Sequence, residues 1–394
     1  MRKIVERIAA GIITCSGFLT SIVILLIVVF LFSEGLGLFS SKTIEEGYSL
    51  VVNKANPVED LDARQIKEIF DEDITEWKDV GGTGGKIRLL RFDDMESLFS
   101  SERLGENYEH AEACLDSLIK ADAGIIAFIP DSYASKLKNG RMLDGHEISV
   151  GEVLGGNEWF PTATPAPQFG FVPLILGTVW VTVFAIIFAL PFGLSVSIYM
   201  SEVASVRTCK MLRPIIELLN GIPSVVYGFF GLTVIVPILQ DVFGLPVGES
   251  GLAGALVLAI MALPTIITVS QDAMQNCPRA MREASLALGA SRWQTIYKVV
   301  MPYSVSGITS AVVLGIGRAF GETMAVLMVT GNAAVIPLSI TDPLRTIPAT
   351  IAAELGEAPA GGPHYQSLFL LGVVLFFITL IINTSVEYIS SRNK

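Results

Sequence analysis

Six long apolar stretches constrain this chain more than any other feature of its sequence. A helix that crosses a membrane needs roughly 20 mainly apolar residues, because about 30 Å of hydrocarbon is crossed at about 1.5 Å per residue. The stretches lie near residues 11–32, 171–200, 218–239, 251–271, 303–330 and 367–386, and only the fifth contains charged residues. A charged fraction of 16% agrees with them. The sequence therefore predicts an all-α polytopic membrane protein with about six transmembrane helices.

The first stretch could instead begin a cleaved signal peptide, because the residues MRK precede it. An uncleaved anchor is favoured, since the apolar run is longer than a usual signal core and no A-x-A-like site follows Phe32.

Basic residues predict the orientation of these spans, because Lys and Arg near helix ends stay cytoplasmic. The two loops at 240–250 and 331–366 hold only Arg345. The opposite side holds Arg2, Lys3, Arg7, Arg207, Lys210, Arg213, Arg279, Arg282, Arg292, Lys298, Arg392 and Lys394. We therefore expect a multi-pass inner-membrane protein whose two termini are both cytoplasmic.

The segment between the first two spans differs in charge from the rest of the chain. Residues 34–160 hold 13 basic and 26 acidic side chains, whereas the whole chain has a net charge of −11. We expect an N-terminal anchor at 1–33, a small α/β extracytoplasmic insert at 34–160 and a transmembrane domain at 161–394. Within the insert, strands are predicted at Tyr48–Asn53, Lys86–Arg91 and Gly124–Ile129, and a helix capped by Asp62 is predicted through Phe70.

Residues that carry out chemistry do not cluster in this sequence. Cys114 is the only cysteine in the insert, so no disulfide can form within it, and no CxxC spacing occurs. The segment GGTGGK at 81–86 lacks both the first glycine of a phosphate-binding P-loop and the Ser or Thr that follows its lysine. We expect no catalytic residues, no cofactor, no metal site and no nucleic acid partner. The remaining cysteines and the three histidines are scattered along the chain, at Cys15, Cys209, Cys277, His110, His146 and His364.

The cytoplasmic segment 276–302 predicts two short helices separated by a turn. Pro278 suits a first helical turn, and Gly289 suits the left-handed residue that closes a helix. Ser291 and Gln294 form a capping-box pattern for the next helix, and Pro302 marks the entry to the fifth span. The segment is therefore expected to form a rigid projection suited to docking, with an ordinary helical hairpin as the alternative.

The fifth span holds Arg318 and Glu322 about midway along its length. Charges at that depth are costly and face protein or water, and a spacing of four places both on one helix face. In one interpretation Arg318 contacts a passing anion while Glu322 holds or releases it. In the other, the two residues only neutralise each other and fix helix packing.

The projection resembles the EAA loop of ABC importer permeases, because Glu283, Ala284, Ser285 and Gly289 lie at its characteristic positions, followed by Pro302. Three further stretches resemble the phosphate-importer permeases of the PstC and PstA family. They are LLNGIPSVVYGFFGL at 218–232, GIGRAFGETMAV at 315–326, and TIPATIAAELGEA with the HYQSLF that follows it within 346–369.

This resemblance implies a type I ABC importer permease, with a second permease subunit, ATP-binding cassette ATPase subunits and an extracytoplasmic phosphate-binding protein as partners. It implies that the loop docks on the ATPase, and that Arg318 and Glu322 belong to the membrane path for phosphate. A permease for another oxyanion and a membrane-anchored ligand sensor or scaffold remain the alternatives.

Parts of the insert, at 56–82 and 123–130, resemble phosphate-binding proteins. Where such proteins carry a Ser-Gly-Thr phosphate contact, this chain has Asp93, Asp94, Met95 and Glu96, and acidic side chains would repel an anion. We expect a fragment that has lost its ligand site and serves in docking or gating, with an inert spacer as the alternative.

Overall fold

The computed structural model of the chain describes residues 2–45, 47–105, 107–143 and 147–392. The chain divides into two compact units. A membrane unit comprises residues 1–35, 172–360 and 368–394, and an insert unit comprises 36–171 and 361–367. His146 and Lys394, which the sequence analysis considered, lie outside the described residues.

Helices make up most of the described chain. In chain order they are α1 (Arg2–Leu36), α2 (Ala63–Phe70), α3 (Met95–Leu98), α4 (Ser101–Leu104), α5 (Ala111–Ala121), α6 (Asp131–Ala134), α7 (Val150–Gly155), α8 (Val172–Ile198), α9 (Val206–Gly221), α10 (Ser224–Phe230), α11 (Val236–Phe243), α12 (Gly251–Gln275), α13 (Arg279–Ala287), α14 (Arg292–Thr295), α15 (Met301–Phe320), α16 (Met324–Val329), α17 (Ile347–Glu354) and α18 (Pro363–Arg392). Single π-helical turns at Tyr199–Val203, Gly231–Ile235 and Ile296–Val300 extend or join several of them.

Six helical stretches within the described residues are long and apolar enough to cross a membrane, which confirms the predicted number. They are Ala10–Ser40, Val172–Val203, Ser224–Phe243, Gly251–Gln275, Arg292–Phe320 and Pro363–Ser385. Several predicted boundaries were wrong, including those of the third and fifth spans. The third span begins at Ser224, because Ile222 before Pro223 is extended and ends α9. The fifth span includes α14 and ends at Phe320, well before residue 330.

The membrane unit is built around α12, which packs along α8 and α15. Small buried residues such as Ala255, Ala259 and Ala262 let these helices approach closely. Hydroxyl groups also join the helices, since Ser197 Oγ donates to the Ile267 carbonyl at 3.1 Å and Ser304 Oγ donates to the Ala273 carbonyl at 3.1 Å. In a membrane, such close packing and interhelical hydrogen bonds replace the hydrophobic effect as the main source of helix association.

The insert unit is a mixed sheet covered by helices on both faces. Its strands β1 (Tyr48–Asn53), β2 (Arg88–Arg91), β3 (Ile125–Pro130) and β4 (Gly140–Leu143) lie in the order β2-β3-β1-β4, with β2 and β3 parallel. Alternation along β1 buries Leu50 and Val52 with α2, and Val51 on the opposite face with α5. Two short strands, β5 (Trp159–Phe160) and β6 (Gln168–Phe169), pair separately.

The sequence analysis predicted the first part of the insert closely. Strand β1 has the predicted bounds, and β2 and β3 lie within or next to the predicted ranges. The helix α2 begins with the predicted cap, because the Asp62 carboxylate accepts a hydrogen bond from the Gln65 backbone at 2.7 Å and Gln65 bonds back to Asp62.

Candidate functional site

The predicted pairing of Arg318 with Glu322 on one helix face was wrong. Helix α15 ends at Phe320, Gly321 caps it, and Glu322 lies in the break before α16. The Glu322 carboxylate instead accepts a hydrogen bond from the Ala325 backbone N–H at 3.2 Å, so it caps the first turn of α16. A carboxylate is stabilised there because the first N–H groups of a helix have no intrahelical partner. Among the described residues, no ion pair joins Arg318 to Glu322.

Arg318 is held by a residue from another stretch of the sequence. Its Nη1 donates a hydrogen bond to Oδ1 of Asn220, at the carboxyl end of α9. The end of α9 is fixed in turn by Tyr227, whose hydroxyl donates to the Leu219 carbonyl at 2.7 Å. The stretches 218–232 and 315–326 therefore meet where α9 and α15 end. The Arg318 guanidinium at this meeting point is half-buried.

Two glycines allow the same stretches to pack closely. A Cβ atom on Gly228 would lie 2.9 Å from the Cα of Ala325, and one on Gly231 would lie 2.8 Å from Cγ1 of Val329. Both contacts are closer than real Cβ atoms tolerate, so α10 and the following π-helical turn can reach α16 only with glycine there. Gly317 is different, because nothing described lies within 4 Å of its Cβ position. Gly317 and Gly321 have the spacing of small residues that allows a helix to approach closely, but no described part of this chain does so at Gly317.

A self-contained ion pair lies at the start of the third stretch. Arg345, just before α17, pairs with Glu354 at the end of that helix, and both side chains are less than one fifth exposed. The Arg345 Nε also donates to the backbone and side-chain oxygens of Asn332, at 3.1 and 2.8 Å. Because its charge is satisfied locally, Arg345 fixes the loop between α16 and α17.

The projection has the predicted helix, glycine turn and second helix. Gly289 follows α13 with a φ of +87°, and Ser291 and Gln294 form the capping box of α14. The hydroxyl groups of Ser285 and Thr295 lie 3.0 Å apart and join the two helices. One feature differs from the prediction, since α14 runs through a π-helical turn directly into α15. The projection is therefore continuous with the fifth span.

The outer side of the projection is exposed and largely apolar. Glu283, Ala284 and Gly289 are exposed, while Ser285 is partly buried against α14. Leu288 is 89% exposed, Trp293 68% and Tyr297 74%. Large apolar side chains that are this exposed within one segment of ten residues are typical of surfaces that bind another protein.

The inner side of the projection is attached by Arg282. Its Nη2 lies 2.8 Å from Oε1 of Glu202 and donates to the Met274 carbonyl at 2.8 Å, so it joins α13 to the ends of α8 and α12. Nearby, burial raises the pKa of the Cys277 thiol, which keeps the thiol protonated and unreactive.

In the insert unit, the acidic residues after β2 have structural partners. The Asp94 carboxylate accepts a hydrogen bond from the Arg91 backbone at 3.1 Å, and Glu96 accepts one from the Tyr108 hydroxyl. This hydrogen bond to Glu96 raises the pKa of Tyr108. The carboxylates of this turn are therefore engaged by donors of the chain itself.

The sequence analysis did not identify three residues that hold these contacts together. Asn220 lies within the stretch 218–232. The signal that could have identified it is a polar residue directly before Gly-Ile-Pro. Arg282 and Arg345 were considered only as indicators of orientation. Nothing in the sequence names Glu202 or Glu354 as their partners, because those contacts join residues that are 80 and 9 positions apart.

Comparisons with known proteins place the chain among transport proteins. Residues 189–394 match the family described as "Binding-protein-dependent transport system inner membrane component". A probable ABC transporter permease protein, YqgH of Bacillus subtilis, is 41% identical over 283 residues, which cover 72% of this chain and 89% of that protein. The phosphate transport system permease protein PstC of Mesorhizobium japonicum is 36% identical over 258 residues, covering 61% and 78%. A chain of the MetNI methionine ABC transporter, solved in inward-facing conformations, matches with 18% identity and a TM-score of 0.46, covering 57% of this chain and 96% of that chain.

Proposed function

This chain belongs to the family of binding-protein-dependent transport system inner membrane components, and we propose that it is the permease subunit of an ATP-driven phosphate importer. Members of this family are multi-pass inner-membrane subunits of ABC importers and are not themselves enzymes. Phosphate is supported by the relatives that carry the name of phosphate transport system permease.

The observation that carries the phosphate proposal is the state of Arg318. Its guanidinium has five N–H donors, yet the described residues give it one side-chain hydrogen bond, to Asn220, and no ion pair. Glu322 is turned to the start of α16 and does not neutralise it. Arg318 lies two residues before the end of the fifth span, and not midway along it as predicted. A charge within a span normally faces protein or water and marks a substrate pathway. A planar guanidinium with free donors suits the oxygens of phosphate.

Energy would reach this path through the projection at 276–302. We assign to the ATPase subunit the exposed surface of Leu288, Trp293 and Tyr297, with Glu283 and Ala284 on the preceding helix. Because α14 continues into α15, a movement of the projection would be transmitted along one helix towards Arg318. No separate hinge is needed within that helix.

Two further partners complete the proposal. A second permease subunit would pack against the open face at Gly317, where this chain leaves space for a helix. An extracytoplasmic phosphate-binding protein would deliver the anion. The insert would dock this protein or gate the outer opening, since its own candidate contact point carries Asp93, Asp94 and Glu96.

Uptake of labelled phosphate tests the proposal. Cells that carry the complete transporter are compared with Arg318→Ala and Arg318→Lys variants at matched membrane abundance. We expect uptake to be abolished in Arg318→Ala and reduced in Arg318→Lys, because lysine keeps the charge without the planar donors. Arg207→Ala is the matched control, since it removes an exposed cation from the start of α9.

Competition identifies the anion in the same assay. Unlabelled phosphate should suppress uptake, whereas an equal excess of sulfate should not. Full uptake by both Arg318 variants would remove Arg318 from the path, and equal suppression by sulfate would reject phosphate as the specific substrate.

A further inference from the structure

The membrane unit contains a basic cavity that the transport path does not use. It has a volume of about 540 Å³ and lies between the ends of α8 and α12 and the starts of α9 and α13. Its charged lining residues are all cationic, namely Lys210, Arg213, Arg279 and Arg282. We propose that this cavity binds the phosphate group of an anionic ligand, either a phospholipid headgroup or free inorganic phosphate.

The cations of the cavity are only partly neutralised by the protein. Arg282 is paired with Glu202, and Arg213 lies 3.4 Å from Glu217 and 4.0 Å from Asp272. Lys210 and Arg279 are exposed, and the described residues supply neither with an ion pair. Two cations from different helices, α9 and α13, therefore face the same space without a protein anion.

Two polar groups in the wall also point to a ligand. Gln271, which is only 5% exposed, lines the cavity and contributes a side-chain amide to its wall. The Nε of Arg282, another lining residue, is buried and has no hydrogen-bond partner among the described residues. Buried polar groups are normally hydrogen-bonded, because an unmet bond costs free energy. Phosphate oxygens would satisfy donors of both kinds.

The helix beside the cavity is suited to a lipid. On α9, Val206 and Met211 are 73% and 70% exposed, and they lie next to the basic residues Arg207 and Lys210. An exposed helix face that carries both apolar side chains and cations can contact acyl chains and anionic headgroups together. Basic pockets between transmembrane helices bind anionic headgroups at that depth. Free phosphate offers the same oxygens without the acyl chains, so an experiment must separate the two sources.

Occupation of the cavity would join α9 to α13. Because α13 belongs to the projection, the ligand would stabilise the attachment that Arg282 already makes. A regulatory effect on transport rests on the proposed function, whereas binding itself does not.

Cys209 provides a readout inside the cavity, because it is one of the lining residues and is partly exposed. The full-length chain carries Cys15→Ser, Cys114→Ser and Cys277→Ala, so that Cys209 is the remaining thiol. Its rate of alkylation by N-ethylmaleimide is measured in phosphatidylcholine nanodiscs, in nanodiscs containing phosphatidylglycerol, and in phosphatidylcholine nanodiscs with inorganic phosphate. Protection is defined as the alkylation rate in phosphatidylcholine alone divided by the rate with the anionic probe, both measured on the same variant. This ratio cancels differences in intrinsic thiol reactivity between variants.

We expect at least one anionic probe to slow alkylation about tenfold, and Lys210→Ala/Arg279→Ala to lose that protection. Arg292→Ala/Lys298→Ala removes the same charge outside the cavity and should keep it. Protection by phosphatidylglycerol alone identifies a headgroup, and protection by inorganic phosphate identifies the free anion. If neither probe protects Cys209, or if both double variants lose protection equally, the proposed site is wrong. Neither result would bear on Arg318, because the assay involves no transport.

Discussion

Arg282 of the projection forms an ion pair with Glu202 at the end of α8, with 2.8 Å between Nη2 and Oε1. The Arg282 side chain is 22% exposed and that of Glu202 is 11% exposed. This pair and the bond from Arg282 to the Met274 carbonyl hold the inner side of the projection against the ends of two long helices.

Breaking this pair should destabilise the chain. Arg282→Ala leaves the Glu202 carboxylate without its cation, and we expect a loss of about 2 kcal/mol in the free energy of unfolding. Denaturant unfolding of the purified full chain measures it. The double variant Arg282→Ala/Glu202→Ala should cost less than the sum of the single variants, because it leaves no unpaired charge. Strictly additive effects would show that the two residues act independently.

Asn220 should control how freely Arg318 meets an anion. In Asn220→Ala the guanidinium loses one hydrogen bond, and we expect phosphate uptake to fall roughly threefold. Asn220→Asp has nearly the same shape but would neutralise Arg318 and repel phosphate, so uptake should fall about tenfold or more. Labelled-phosphate uptake at matched membrane abundance compares the two. If the Asp variant transported as well as the Ala variant, Arg318 would not be the anion contact.

Gly289 should be needed for its backbone conformation rather than for space. Its φ is +87° and nothing described lies within 4 Å of a Cβ atom there, so Gly289→Ala adds strain without a clash. We expect a cost of about 1 kcal/mol, and a smaller one for Gly289→Asn, because asparagine tolerates this conformation better. Hydrogen-exchange mass spectrometry of α13 should show faster exchange in the Ala variant. Gly17→Ala is the control, since Gly17 also has open space but is helical. Equal exchange in all three variants would contradict the strain argument.

The insert unit should lose stability in acid through Asp116. Partial burial acts to raise its pKa, but hydrogen bonds from the backbone and side-chain amides of Asn139 and from the Lys138 backbone outweigh it, so the pKa is lowered. A carboxyl whose pKa is lower in the folded state stabilises the fold above its unfolded pKa. That contribution is lost as the pH falls through the lowered value.

Hydrogen exchange around Asn139, corrected for its intrinsic pH dependence, measures this effect. Wild type should be better protected than Asp116→Asn at pH 6, and the difference should shrink as the pH falls below the ordinary pKa of an aspartic acid. Asp79→Asn removes an exposed carboxylate from the same unit and should behave as wild type. A difference between wild type and Asp116→Asn that does not change with pH would exclude the proposed titration.

The sequence predicted local features with success where one local preference dominates. The caps at Asp62 and Ser291, the left-handed Gly289 and the strand at Tyr48–Asn53 were found where expected. Each depends on residues within three or four positions, so the local chemistry is enough. The prediction failed at Arg318 and Glu322, because a spacing of four places two residues on one face only where the helix is continuous. The break at Gly321–Thr323 places Glu322 against the start of α16 instead.

By itself, the sequence determined the number of membrane spans, the presence of an acidic α/β insert and the shape of the projection, because apolar length, charge and capping residues act over short distances. Only the tertiary structure decided which charges are satisfied. Whether Arg318, Arg282 and Arg345 are neutralised depends on residues brought near them by helix packing and helix ends. The free energy of a charge inside a membrane is set by those neighbours, and the order of residues along the chain does not reveal them.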